Sequence, residues 1–340
     1  MFKFNLQHFA AGDNVHTTTG MASNSSGNIT GYDGSGLSAE MKTYYSDYLI
    51  DMAEPKLVHD QFGQKQPIPK GKGKTIEFRK YNPLPKMLTP LTEGVTPNGQ
   101  KLDVTVVTAE VKQYGGYIEL SDILQLTAID NNLVQATKLL GGQAGRTLDT
   151  ITREVLNGGT NVQYAEGQVE SRGELVGGQA EGNHYLTVDA VRKAVRTLKG
   201  QNAETIDGSF VGVIHPDVAY DLMSDPKWVN VKTYSDPDGI YQGEIGKIEG
   251  VRFVESTEAK IFEGKGANGA NVYSTLIIGE NAYGTTELSG GGLEHIVKQL
   301  GSAGTADPLN QRATAGWKAT KAAVRLVEPY MVRIETAASV

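Results

Sequence analysis

Apolar and polar residues follow different periods along this chain, and those periods divide it into elements. The strongest signal is Leu133, Ala136, Leu140, Ala144, Leu148, Ile151 and Val155, which recur every three or four residues. That spacing predicts one amphipathic helix over 131–156, stopped by Asn157-Gly158-Gly159. At about 1.5 Å per residue it is roughly 40 Å long. Gly141, Gly142 and Gly145 lie inside it, each costing about 0.5–1 kcal/mol relative to alanine. Such a helix needs tertiary packing, and its glycines admit either a close backbone or a bend. A second helix is capped by Thr187 and ended by Gly200. It turns Val188, Val191, Val195 and Leu198 inward, and Arg192, Lys193, Arg196 and Lys199 outward as a solvated face. Shorter helices are predicted over 38–58, after Ser121, and from His215-Pro216 to Met223.

Strand patterns fall at 75–79, 103–107, 117–120, 210–214, 245–254, 271–279, 323–327 and 330–335, the last two separated by a bend at Pro329. Residues 11–38, rich in Gly, Ser, Thr and Asn, read as a flexible arm. Residues 158–183, glycine-rich with Glu166, Glu170, Glu174 and Glu181, read as a mobile loop or irregular hairpin, and 301–310 as a loop. Strands and helices mix without βαβ regularity, so the fold class is α+β.

Residues 64–120 are the anomaly. Pro67, Pro69, Pro83, Pro85, Pro90 and Pro97, half of the chain's 12 prolines, exclude a long helix there. The two short strand patterns make a ribbon that is marginal alone in water. Its candidate cover is a second copy of the chain.

Charge sharpens this picture. The net charge is −7, wrong for a generic DNA binder. Yet Lys65, Lys70, Lys72, Lys74, Arg79, Lys80 and Lys86 face one acid, Glu77, in a window of +6, which leaves −13 elsewhere. A basic arm on an acidic body either docks on a neighbour's acidic face or is a solvated loop. Phe2, Phe4 and Leu6 alternate as a strand edge that could add to a neighbour's sheet, or as a frayed terminus. No apolar run approaches the roughly 20 residues that span a bilayer. With 0 cysteines, disulfides and thiolate metal sites are impossible.

Catalytic motifs fail on context. Gly71-Lys72-Gly73-Lys74-Thr75 ends like a phosphate-binding loop, but Ile68 replaces its first glycine and a strand pattern follows where a helix is needed. Gly264-Lys265-Gly266-Ala267-Asn268-Gly269 matches a dinucleotide pattern by letter, and the strand pattern after it makes it a hairpin turn. Asp236-Pro237-Asp238-Gly239 reads as a turn. The six histidines are dispersed without metal spacing. No catalytic, cofactor or metal site is assigned, and the chain is read as a non-enzyme.

LTEGVTPNGQKL at 91–102, VKQYGGYIELSD at 111–122, Asp130, and Arg146-Thr147-Leu148-Asp149 resemble, in that order, the major capsid proteins of tailed bacteriophages in the family named after coliphage N-four. The start MFKFNLQHFA, the turn-and-strand at 246–254 and the segment 277–284 are similar to phage capsid chains too. The resemblance implies a Hong Kong 97-type fold. Residues 1–60 become an N-terminal arm and 64–108 an extended β-hairpin loop over a neighbour. Residues 109–183 become a peripheral domain with its spine helix at 131–156, 184–300 an axial domain, and 301–340 a return to the peripheral domain. It also implies self-assembly as pentamers and hexamers into an icosahedral head enclosing double-stranded DNA. Portal, scaffolding or decoration proteins are implied as partners, with synthesis in the host cytoplasm. A virion scaffold of another kind, or a soluble domain with an inserted lid, are the competing readings.

Overall fold

The computed structural model describes residues 19–23, 29–37, 57–68, 74–81, 84–91, 93–96, 98–123, 132–178, 184–228, 246–287, 293–302 and 307–339. In chain order the first strands are β1 (Thr19–Ser23), β2 (Ile29–Leu37), β3 (Gln64–Gln66), β4 (Thr75–Tyr81), β5 (Val104–Glu110) and β6 (Lys112–Ser121). Helix α1 (Asn132–Asn157), β7 (Val162–Tyr164), α2 (Val188–Gly200), β8 (Phe210–Ile214) and α3 (Pro216–Ser224) follow. Then come β9 (Lys247–Ile248), β10 (Val251–Glu255), β11 (Ile261–Phe262), β12 (Val272–Ile278) and β13 (Tyr283–Thr286). The chain closes with β14 (Leu293–Lys298), β15 (Arg312–Lys321), β16 (Ala323–Arg325) and β17 (Met331–Thr336).

The chain divides into two units. The first takes Met1–Ala53, Gly115–Ala144 and Glu294–Lys318. Its sheet has the order β14-β15-β6. The strands close up through glycine: a Cβ on Gly115 would sit 2.8 Å from the Trp317 carbonyl oxygen, and one on Gly316 would sit 2.9 Å from the Tyr117 Cβ. A Cβ on Gly116 would sit 2.8 Å from Gln143 Oε1 of α1, whereas a Cβ at Gly142 inside α1 would meet nothing within 4 Å. Trp317 Nε1 donates to Gln143 Oε1 at 3.0 Å and ties the sheet to the first half of α1. The segment read as a flexible arm contains an antiparallel ribbon, β1 with β2, in which Thr19, Ile29, Thr30 and Tyr32 are residue types that favour extended backbone.

The second unit takes Glu54–Tyr114, Gly145–Leu293 and Ala319–Val340. Its main sheet runs β7-β17-β12-β8-β10-β9, with β11 paired to β12. Thr187 Oγ1 accepts from Ala190 N and caps α2, and His215 Nδ1 accepts from Asp217 N and caps α3. Val191, Val195 and Leu198 of α2 and Val218 and Leu222 of α3 pack on Phe210, Val251, Ile277 and Val332. On β8, β12 and β17, Val213, Leu276 and Met331 join a second cluster with Leu156 of α1 and Tyr283.

Two expectations are corrected. The 158–183 segment, as far as it is described, is neither loose nor a hairpin. β7 extends the sheet beside β17 in parallel. Arg172 donates through Nε and Nη2 to Glu335 at 2.6 and 2.7 Å, and its guanidinium lies 3.5 Å from the centroid of the Phe262 ring. Lys193, read as solvated, donates to the Glu166 carbonyl at 3.1 Å. Polar anchoring of this kind leaves no hydrophobic period to read. Residues 312–318 share the first unit with the start of α1, and β17 lies between β7 and β12, where Val332 and Ile334 fill the core of the main sheet.

Candidate assembly surfaces

β4 and β5 form an antiparallel hairpin in register from Thr75↔Glu110 to Tyr81↔Val104. Its base is covered by its own chain, which corrects the expectation that only a second copy could cover it. Ile76, Phe78 and Ala109 are buried against Ala322, Val324 and Leu326. Gly284 makes this possible, because a Cβ there would lie inside the Phe78 ring. Beyond Phe78 the cover ends. The Gln100 side-chain amide donates to the Pro85 carbonyl at 3.1 Å across the distal loop, and Gly94 turns with φ 77°. Leu84, Met87, Leu88, Leu91, Val95 and Leu102 all stand exposed there, Leu88 at 83%. On the outer face of β5, Val104 and Val106 are exposed as well. Large apolar side chains exposed in this number along one loop make it a candidate interaction site.

Of the sequence-predicted contacts, Lys74, Arg79 and Lys86 are exposed along the hairpin, Lys80 is half-buried, and Lys65 is exposed on β3. Lys70, Lys72, Phe2, Phe4 and Leu6 lie outside the described residues, as do most of the 38–58 helix and the 236–239 turn. The exposed apolar tip was missed. Its signal was present in Leu84-Pro85-Lys86-Met87-Leu88-Thr89-Pro90-Leu91, an apolar run with no helical or strand period to bury it.

The hairpin is rooted on a buried polar cluster that sequence reasoning also missed. His59 donates its backbone N–H to Asp149 Oδ1, and its Nδ1 lies on Asp149 Oδ2, both at 2.7 Å. The Tyr283 hydroxyl donates to the His59 carbonyl at 2.5 Å. Asp60 Oδ1 accepts from Thr285 Oγ1 at 2.7 Å, from Thr152 Oγ1 at 3.1 Å and from the Lys321 ammonium. Lys321 is fully buried. Burial draws its pKa down from the usual lysine range, against the opposing pull of Asp60 and Asp149.

Groups elsewhere that resemble catalytic machinery are engaged structurally. The Tyr273 hydroxyl donates to Asp217 Oδ2 at 2.9 Å, and burial and Asp217 push it up to about 12. The GxGxxG-like segment is the turn between β11 and β12, and β4 rather than a helix follows Lys74. Among the described residues no three His, Asp or Glu side chains gather as a metal site. No helix among them is long and apolar enough to cross a membrane.

Solved phage capsid structures share this fold. The cyanophage Pam1 capsid is similar over 93% of this chain and 98% of its own, at 15% identity and a TM-score of 0.62. The capsid of Ralstonia phage GP4 is similar over 81% of this chain and 87% of its own, at 14% identity and a TM-score of 0.61. For the cyanophage P-SCSP1u capsid the coverages are 80% and 85%, at 14% identity and a TM-score of 0.59. No curated protein matches the sequence. The architecture is thus the α+β, Hong Kong 97-type fold of phage capsids. Residues 119–291 match the family model described as phage capsid protein, and the chain belongs to that family. It is a structural protein of the virion, a major capsid protein that assembles into an icosahedral head, and not an enzyme.

Proposed function

We propose that this capsid protein is of the coliphage N-four type and assembles as pentamers and hexamers whose copies are clasped by the β4–β5 hairpin. The observation that carries this reading is the hairpin itself, buried at its base and apolar and exposed at its tip. The tip seats on a neighbouring copy. Lys65, Lys70, Lys72, Lys74, Arg79, Lys80 and Lys86 steer the encounter towards acidic surface on copies whose net charge is −7. Phe2, Phe4 and Leu6 add to a neighbour's sheet. The first 60 residues act as an arm and 109–183 as the peripheral domain around α1. Residues 184–300 form the axial domain, and 301–340 return to the peripheral domain.

The shell is made in the host cytoplasm with portal, scaffolding or decoration proteins, and encloses double-stranded DNA without reading its sequence. An acidic chain suits a container whose wall must not grip its contents. Replacing the exposed distal loop, residues 84–102, with a short turn tests the clasp and leaves the buried base of the hairpin in place. A folded body that forms no shells, beside wild-type protein that does, supports it. Normal shells from the shortened chain overturn it.

A further inference from the structure

The root of the hairpin contains more charge than a stability argument explains. β3 is three residues long and pairs in parallel with β13 through Gly284↔Gln64, Thr285↔Lys65 and Thr286↔Gln66. So short a pairing specifies its own register weakly. Three consecutive residues of β13 supply what it lacks. Tyr283 holds the His59 carbonyl and lays its ring where a Cβ on Gly63 would be. Gly284 receives the ring of Phe78 from the hairpin. Thr285 binds both Asp60 and Lys321. One strand thus measures the root segment, the hairpin and the end of β15 against each other. The long helix adds a fourth hold through Asp149 and Thr152.

We propose that His59 and Asp60 form a register lock, a peg whose buried charges fix the direction in which the hairpin leaves the body. An apolar cluster of the same volume commonly gives equal or greater stability, so a buried Lys–Asp pair is poor evidence of a stability device. Hydrogen bonds differ from apolar contacts in being directional. A peg held on its N–H, ring, carbonyl and carboxylate has one seat. This inference rests on the reading that the hairpin clasps a neighbour, because only then does its direction decide assembly. Asp60 and Lys321 are positioning residues and touch no partner themselves.

The test compares wild type with Asp60→Asn, Lys321→Met and the double variant, all as the full chain. Each single change leaves one partner of the buried Asp60–Lys321 pair without the other and is expected to lower the melting temperature. The double variant removes both charges while the introduced amide still meets the Thr152 and Thr285 hydroxyls, so its melting temperature is expected to return to the wild-type value. Hydrogen exchange at 64–66 and 75–78 in the unassembled double variant is expected to be about tenfold faster than in wild type, and closed shells to be lost in electron micrographs. Wild-type protection at the root together with wild-type shells in the double variant would overturn the lock. So would a double variant as unstable as the single ones, since the charges would then serve stability. If wild-type protein itself formed no shells, the clasp reading would fail, and the exchange rates of the unassembled double variant would still decide the lock.

Discussion

The exposed tip gives the most direct prediction. Leu88 and Leu91 are 83% and 76% exposed, so the folded subunit gains little from either. Fully burying a leucine is worth about 1.5–3 kcal/mol. Seating the exposed fraction of both on a neighbour is then worth roughly 2.4–4.8 kcal/mol, or about 60- to 3,000-fold in each contact constant. The double change Leu88→Ser and Leu91→Ser is expected to leave the thermal melt of the subunit within about 1 °C of wild type, as surface changes do. It is expected to raise the concentration needed for assembly by about two orders of magnitude or more, because every copy in a shell loses the same contact. Light scattering against concentration, with negative-stain images at each step, measures this. Wild-type assembly by the variant would refute the apolar seat. A large fall in melting temperature would refute it too, since the leucines would then be packed within their own subunit.

Three further outcomes follow from the packing. Gly284→Ala puts a methyl group into the buried Phe78 ring and should cost about 1–3 kcal/mol, read as a lower denaturation midpoint. Arg172→Ala leaves the fully buried Glu335 with Arg333 as its remaining partner, 2.8 Å away. A loss of about 2–3 kcal/mol is expected, together with proteolytic cutting within 158–178 that wild type resists. Burial pushes the Glu328 carboxyl up, but the Thr160 amide and Arg325 outweigh it and hold the pKa below its usual 4.5. A carboxylate lowered in the folded state adds stability above pH 4.5 that is lost as pH falls through the folded value. The melting temperature should therefore decline below that pH, less steeply in Glu328→Gln.

How much of this was legible in the sequence depended on the range of the forces involved. α1 follows from local periodicity alone, and the observed Asn132–Asn157 lies within a residue of the expected helix. The ribbon's existence was legible too, because proline excludes helix. β14 and β15 were not. Arg312–Lys321 reads RATAGWKATK, whose alanines and glycine carry little strand preference. The strand exists because Gly316 lets it close on β6. The peg was hidden for a different reason. Lys321 lies 261 residues from Asp60, just before the strand pattern at 323–327. No local pattern shows that a lysine has a buried partner. The 158–178 segment was misread because its buried Ala165 and Leu175 stand too far apart to make a period, and Arg172, Gln163 and Lys193 hold the rest through polar contacts.

Directional polar bonds hold the root of the hairpin, while its tip leaves apolar surface exposed. That division has a consequence for salt. If lysines along the hairpin steer an encounter, screening slows it. Copies of net charge −7 also repel one another, and the same screening relieves that repulsion. The two effects oppose each other in rate, so rate alone does not separate them. The equilibrium does. If the leucine tip supplies the free energy, the assembled fraction should hold or rise between about 0.1 and 0.5 M salt, where the Debye length is already about 10 Å or less. It should fall on cooling, because burial of apolar surface weakens as temperature drops. If the lysines supply it, the assembled fraction should fall with salt and be nearly indifferent to cooling. An assembled fraction that decreased steeply with salt would return the interface to the basic residues and leave the exposed leucines without a role.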